Sequence, residues 1–191
     1  MRTPYYDHLA KEIAGALSSH YGQWVTDHPA DDVYAYVLYA TPLVSRIAVS
    51  VLTEQGLKQV AQVYKNKYRY PESLQQLERR LRWSVADSPY CSHHHNAFDY
   101  VNTRLEAMML YVHSIHVDDP EFVTHFDTIH SILVDALNQV RRRVLHDKPR
   151  PMLYVDFGDM SDDERLSFIV RCNTPEVVAE YLRSVEAAAE N

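Results

Sequence analysis

The segment SPYCSHHHNAFDY, residues 88–100, places one of the two cysteines of the chain beside three consecutive histidines. Thiolate and imidazole are the ligands that zinc prefers, so the segment first suggests a metal site. Structural zinc sites, however, usually take their four ligands as two closely spaced pairs, and only one such group is present here. The adjacent side chains of His93, His94 and His95 cannot all face one ion without an unusual backbone. We therefore interpret the segment as a polar loop and expect neither a metal nor another cofactor.

A second group of titratable residues lies further along the chain. His113 and His116 are three residues apart near the end of a predicted helix, and Asp118 and Asp119 lie just beyond. Two histidines on one helix face with a carboxylate could bind a metal, but the H-E-x-x-H motif that would identify such a site is missing. Histidines near a helix C-terminus also interact favourably with the helix dipole. This group and Cys91 are the basis of an alternative, enzymatic interpretation.

Other catalytic patterns are missing from the sequence. It contains no G-x-S-x-G motif, and its four glycines form neither a G-x-G-x-x-G nor a G-x-x-x-x-G-K-[ST] loop. The acidic run Asp162-Asp163-Glu164 falls at a predicted helix start, where carboxylates are common. No catalytic residue is therefore predicted.

Composition limits the class of protein. With 191 residues, 46% hydrophobic and 24% charged, the chain is predicted to form one globular domain over residues 1–191. The net charge of −7 argues against binding to nucleic acid and favours a basic partner. No segment approaches the ~20 apolar residues needed to span a bilayer, and the N-terminus lacks the apolar core of a secretory signal. We expect a cytoplasmic protein, with no membrane contact and with two free thiols.

Periodicity predicts an α+β fold. Apolar residues three and four apart predict helices over residues 5–24, 57–68, 98–115 and 122–144, and further helices from Pro71, Ser161 and Pro175. Strands are predicted over residues 33–40, 45–52 and 152–157. Because a tight connection joins the first two, they should form an antiparallel pair. The expected architecture is a small, mostly antiparallel sheet packed by several helices.

Four segments of the chain resemble, in the same order, a bacterial family described as domain of unknown function 4303. They are DDVYAYVLYA, LTEQGLKQVAQVY, LRWSVADSPYC and LYVDFGDMSDDERLSFIVRCNTPEVVAEYL. The most specific pieces are Tyr34 with Leu38 and Tyr39, Arg82-Trp83-Ser84 with Ser88-Pro89-Tyr90, and Asn173-Thr174-Pro175-Glu176. The family has no established activity, but its members often occur beside polymorphic or contact-delivered toxins, which implies immunity proteins. The stretch CSHHHNAF departs from the family pattern and leaves room for a partner contact specific to this member.

We therefore expect an immunity protein that binds and neutralises a basic cognate toxin. Fourteen tyrosines in 191 residues are a high share, and tyrosine is enriched at binding surfaces, although a tyrosine-rich edge of the core is an equal alternative. The expected contact is an acidic, tyrosine-rich face made of Tyr68, Tyr70, Trp83, Tyr90, His93, His94, His95, Asp162, Asp163 and Glu164. Two alternatives stay open: a metal-dependent hydrolase or modification-reversing enzyme that uses His113, His116, Asp118 or Cys91, and a homodimer or larger homo-oligomer formed through exposed tyrosines.

Overall fold

The computed structural model describes residue 6 and residues 8–92, 95–116, 118–145 and 151–189. Within these residues the chain forms seven α-helices and three β-strands. In chain order they are α1 (Leu9–Asp27), β1 (Val33–Ala40), β2 (Ile47–Thr53), α2 (Glu54–Asn66), α3 (Leu74–Leu81), α4 (Asp99–Val112), α5 (Pro120–Val144), β3 (Met152–Asp156), α6 (Asp162–Cys172) and α7 (Pro175–Ala189). None of the described helices is both long enough and apolar enough to cross a bilayer.

The three strands form one sheet in the order β2-β1-β3. β1 is antiparallel to β2 and parallel to β3, with Ala40 opposite Ile47 and Tyr39 opposite Asp156. The predicted antiparallel pair and the α+β class are confirmed. The sheet itself is mixed, with one ladder of each kind, because the crossover through α2 to α5 returns the chain to β1 in the parallel direction.

The core is built around the central strand. Residues 34–38 of β1 are at most 5% exposed, which explains why the sequence VYAYVLYA is apolar on both faces. Trp24 from α1, Leu133 from α5 and Phe98 before α4 are fully buried in the same cluster. Because these helices and the sheet bury their side chains in one cluster, the described residues pack as one unit, in agreement with the single domain predicted.

Both outer strands are closed by an asparagine side chain. On β2, the Ile47 N–H donates to Asn102 Oδ1 at 2.8 Å, and Asn102 Nδ2 donates to the Ile47 carbonyl at 3.0 Å. On β3, the Leu153 N–H donates to Asn173 Oδ1 at 2.8 Å, and Asn173 Nδ2 donates to the Leu153 carbonyl at 2.5 Å. Each amide makes the pair of hydrogen bonds that an added strand would make, so the sheet edge is blocked at both points.

Local capping sets where the helices begin. At α6, the Glu164 N–H donates to Ser161 Oγ and the Ser161 N–H donates to Glu164 Oε2, so a capping box marks the helix start predicted at Ser161. Ser73 and Gln76 form the same box at α3. Because Ser73 caps the helix, α3 begins at Leu74, and the predicted start at Pro71 is wrong by three residues.

Candidate interaction surface

Two exposed tyrosines follow the end of α2. Tyr68 is 54% exposed and Tyr70 is 37% exposed, and both belong to the connection between α2 and α3, residues 67–73. Their rings pack on that of Tyr64, with centroid distances of 5.4 Å to Tyr68 and 5.1 Å to Tyr70. The three rings therefore form one contiguous aromatic surface.

A cation covers part of this surface. The Arg80 guanidinium lies 4.8 Å from the ring centroid of Tyr70 and 5.9 Å from that of Tyr64, within the range of cation–π attraction. Glu72 forms an ion pair with Arg80 at 3.4 Å. We call Tyr64, Tyr68, Tyr70 and Arg80 the tyrosine patch.

The backbone under the patch is fixed in place. Lys65 Nζ donates to the carbonyl oxygens of Tyr70, Pro71 and Glu72 at 3.3, 3.3 and 2.9 Å. Arg69 has a φ of 57°, in the left-handed region that a residue with a side chain adopts only at an energetic cost. Because the Lys65 contacts hold the connection, Tyr68 and Tyr70 on either side of Arg69 are presented in a set arrangement.

The hydroxyl of Tyr64 provides a second anchor. Tyr64 Oη donates to Asp87 Oδ1 at 2.8 Å, and Ser84 Oγ donates to the other oxygen of the same carboxylate at 2.6 Å. The hydrogen bond to Asp87 raises the pKa of Tyr64. This contact ties the patch to the loop that follows α3.

The charge around the patch is positive. The sequence from residue 65 to residue 80 carries five cations, Lys65, Lys67, Arg69, Arg79 and Arg80, against two carboxylates, Glu72 and Glu78, and Asp87 beside Tyr64 adds a third carboxylate. Lys67 Nζ itself lies 5.4 Å from the ring centroid of Tyr68. The tyrosine patch is therefore a local basic surface on an acidic molecule.

The acidic candidates lie elsewhere. Asp162, Asp163 and Glu164 are exposed in the first turn of α6, which packs on β3, whereas α2 follows and packs on β2. β2 and β3 are the two outer strands of the sheet. The two groups of side chains therefore belong to helices that pack on different strands, and one face that is both acidic and tyrosine-rich stays a prediction.

Two further candidates point inward. The partly buried Trp83 donates from Nε1 to Ser184 Oγ at 2.9 Å, and its ring lies 5.1 Å from that of Tyr181, joining the end of α3 to α7. Tyr90 Oη donates to Asp31 Oδ2 at 2.7 Å, and its ring meets that of Trp24 edge-on. Both residues connect elements of the fold, and neither belongs to the tyrosine patch.

Sequence patterns gave no role to Arg82, which lies beside Trp83. Its guanidinium forms two hydrogen bonds with the Glu54 carboxylate, at 2.6 and 3.1 Å, and lies 4.2 Å from the ring centroid of Tyr34. Ser88 Oγ then donates to the Val51 carbonyl at 2.7 Å. These contacts hold the loop after α3 against α2 and β2, so the segment LRWSVADSPYC has an architectural role.

The histidine segment is described only in part. His93 and His94 lie outside the described residues, and His95 begins a short 3-10 helix, His95–Phe98. Cys91 is partly exposed and forms an isolated β-bridge with Ser50. The free thiol of Cys172 is buried, and burial raises its pKa to about 12.

The residues of the enzymatic alternative lie on the surface. His116 Nδ1 is 3.4 Å from Asp118 Oδ2, with the two side chains 78% and 88% exposed. His113 is also exposed, after the last residue of α4. Within the part of the chain that the structure describes, no three His, Cys, Asp or Glu side chains converge on a point that could hold a metal ion.

Comparison with known proteins assigns a family. The model of a domain of unknown function, DUF4303, matches residues 13–186, a range that includes the sheet and all residues of the tyrosine patch. The chain belongs to the DUF4303 family. No curated protein and no solved structure matches it. The resemblance found in the sequence is confirmed at the level of the family, and the family description carries no activity.

Proposed function

We propose that this DUF4303 member is an immunity protein that neutralises a bacterial toxin by stoichiometric binding, without turnover and without a cofactor. The observation that supports the proposal is the tyrosine patch. Tyrosine and arginine are enriched among the residues that dominate binding energy at protein interfaces. Here Tyr68 and Tyr70 are exposed while their surroundings are ordered by Lys65 and Arg80.

Preorganisation favours binding by the patch. Association costs free energy whenever a flexible loop or side chain must be ordered. The three hydrogen bonds from Lys65 and the ring contacts with Tyr64 already restrict Tyr68 and Tyr70 in the free protein. Less entropy remains to be lost on docking, so more of the contact energy contributes to affinity.

Charge suggests the kind of segment that docks. The net charge of −7 attracts a basic toxin at long range, but salt screens this attraction beyond about 8 Å. At contact distance the cations around the patch, such as Lys67 and Arg69, face the partner directly. We propose that the docking segment of the toxin is acidic, whatever the overall charge of the toxin.

Co-purification with the protein encoded directly upstream, combined with growth rescue in cells that express that protein, tests the proposal. Tyr70→Ala and Tyr68→Ala are each expected to weaken binding by about 30-fold and to reduce rescue. The matched control is Tyr100→Ala, since Tyr100 is 67% exposed on α4, away from the patch, and its loss should change neither result. Failure of both capture and rescue would contradict the immunity role. If the toxin binds but both patch variants bind it unchanged, the tyrosine patch is not the docking surface, and the immunity role itself is not contradicted.

A further inference from the structure

A cleft of about 430 Å³ opens where β1 and β3 end. β1 is followed by Thr41 and Pro42, and β3 is followed by Phe157; Pro42 and Phe157 both line the cleft. The two strands are parallel, and the carboxyl ends of parallel strands are a common location for ligand sites. The volume is within the range of small-molecule sites. We call this feature the strand-end cleft.

Aromatic rings form one wall of the strand-end cleft. The imidazole of His130, from α5, lies 4.8 Å from the ring of Phe157 and 5.7 Å from that of Phe168, measured between centroids. Phe157 and Phe168 are 5.5 Å apart. Gly158 is required beside this wall, because its φ is +83° and a Cβ there would lie 3.1 Å from Tyr39 Oη. The ring contacts and the tight packing at Gly158 therefore hold the wall in one arrangement.

His130 supplies an acceptor inside this wall. Its side chain is partly buried, and neither ring nitrogen hydrogen-bonds to any described residue. Burial lowers the pKa of His130, so the ring is neutral at pH 7 and one of its nitrogens carries a free lone pair. A ligand N–H is the group that would satisfy that nitrogen.

Carboxylates line the rim. Asp159 and Glu164 both face the cleft, and the capping box with Ser161 holds Glu164 in place through its Oε2 atom. The cation among the described lining residues is Arg171, whose guanidinium lies 5.6 Å from the ring centroid of Phe168. Negative charge thus exceeds positive charge at the rim, and the ring of the partly exposed Phe157 adds further negative potential.

We propose that the strand-end cleft binds an organic ammonium ion with an apolar body. The ammonium group is held by the carboxylates of Asp159 and Glu164 and donates to His130, while the apolar body covers Phe157 and Phe168. Charge complementarity selects this class over organic acids, which the two carboxylates would repel. The inference does not depend on toxin binding, because none of the residues that line the strand-end cleft belongs to the tyrosine patch.

Three probes of nearly equal size test the charge preference: benzylammonium, benzyl alcohol and benzoate, titrated into the full chain and followed by NMR shifts of the Phe157, Phe168 and His130 side chains. Benzylammonium is expected to bind about tenfold more tightly than benzyl alcohol, and benzoate should bind more weakly than both. Equal affinity for all three, or tighter binding of benzoate, would overturn the proposal.

Charge-removing variants show whether benzylammonium binds at the cleft or responds to surface charge in general. Glu164→Gln keeps a side chain that can complete the capping box and removes the charge, so benzylammonium affinity should fall about tenfold while the fold is retained. Glu186→Gln, on the exposed face of α7, is the matched control and should have no effect. An unchanged affinity in Glu164→Gln would contradict the assigned site.

The pH dependence supplies an independent readout. His130 is faced by His125 and Asp127 on α5, by Glu164 and Arg171 on α6, and by the cleft-lining Asp159. Protonation of His130 removes the acceptor and adds a like charge, so benzylammonium binding should weaken as the pH falls from about 7 to about 5, above the range in which carboxylates titrate. His130→Gln should abolish this pH dependence. A pH dependence that persists in His130→Gln would overturn the role given to the imidazole.

Discussion

At the scale of single residues, the buried tyrosines differ in whether their hydroxyls hydrogen-bond. Tyr36 Oη donates to the Leu17 carbonyl at 3.1 Å and lies 2.8 Å from His20 Nδ1. Tyr154 Oη is equally buried but has no hydrogen-bond partner among the described residues. Burial raises the pKa of both tyrosines, so both stay neutral. A buried hydroxyl without a partner costs free energy that a hydrogen-bonded one does not.

Replacement of these two tyrosines by phenylalanine should therefore have opposite effects. Tyr154→Phe removes an unpaired hydroxyl and should raise the free energy of unfolding by about 1 kcal/mol. Tyr36→Phe removes a paired hydroxyl and should lower the free energy of unfolding by about 1–2 kcal/mol. Urea denaturation followed by circular dichroism measures both changes. A loss of stability in Tyr154→Phe would mean that its hydroxyl does have a partner in solution.

At the scale of elements, the asparagine side chains that pair with the outer strands each connect a helix region to the sheet. Asn102 is buried on α4 and pairs with β2, while Asn173 lies between α6 and α7 and pairs with β3. Arg141 Nη2 also donates to Asn173 Oδ1 at 2.7 Å, which adds α5 to the same network. The Arg141 guanidinium, in the last turn of α5, does not face solvent alone, because it also donates to the Pro151 carbonyl at 2.8 Å.

Asn102→Ala and Asn173→Ala should each lower the free energy of unfolding by about 2 kcal/mol or more, because each leaves one backbone N–H and one carbonyl of a strand unpaired. Asn66→Ala, at the exposed last residue of α2, is the control and should change stability by less than about 0.5 kcal/mol. Guanidinium unfolding curves of the three variants test this. Equal midpoints for Asn173→Ala and the wild type would show that water replaces the amide without loss.

The sequence predicts the elements well because their signals are local. The apolar spacing of α5 and the helix starts at Ser161 and Pro175 all appear where expected. The roles of Asn102, Asn173 and Arg82 could not be predicted, because each depends on a partner far away in the chain. The parallel pairing of β3 also depends on tertiary packing, since nothing in Met152–Asp156 distinguishes a parallel neighbour from an antiparallel one.

At the scale of the whole molecule, net charge proved a poor guide to local surfaces. The sequence has a formal charge of −7, yet the exposed tyrosines lie among cations, and Glu164 of α6 borders a separate cleft together with Asp159. Of the candidate contact residues, the structure brings Tyr68 and Tyr70 together beside Tyr64, whereas Asp162, Asp163 and Glu164 belong to the first turn of α6. A sequence gives the sum of the charges, whereas the fold determines which of them become neighbours.

Stability of the whole molecule should decrease in mild acid. Burial lowers the pKa of both His125 and His130 below that of the unfolded chain, so the unfolded state binds more protons in the window between the two values. Their contribution is complete above about pH 6.5 and is lost as the pH falls through that window. Thermal melts between about pH 7 and about pH 5 should show a falling midpoint, with a smaller fall in His130→Gln.

Glu164 and Glu176 contribute to stability in a lower pH range than the two histidines. Hydrogen bonding at their helix starts lowers the pKa of each carboxyl, so their contribution is present above about pH 4.5 and is lost only below it. A midpoint that stays constant down to about pH 5 and then drops would assign the acid sensitivity to carboxylates and not to the histidines.

The amides of Asn102 and Asn173 also restrict how this protein can be recognised. A foreign strand that tried to extend the sheet would first have to displace an asparagine already seated on Ile47 or Leu153. β-Augmentation and cross-β stacking both begin at vacant backbone groups of this kind. A binding partner, including a second copy of the chain, therefore has to be recognised through the shape and polarity of side-chain surfaces. Its binding should leave the hydrogen exchange rates of the backbone amides in β2 and β3 unchanged.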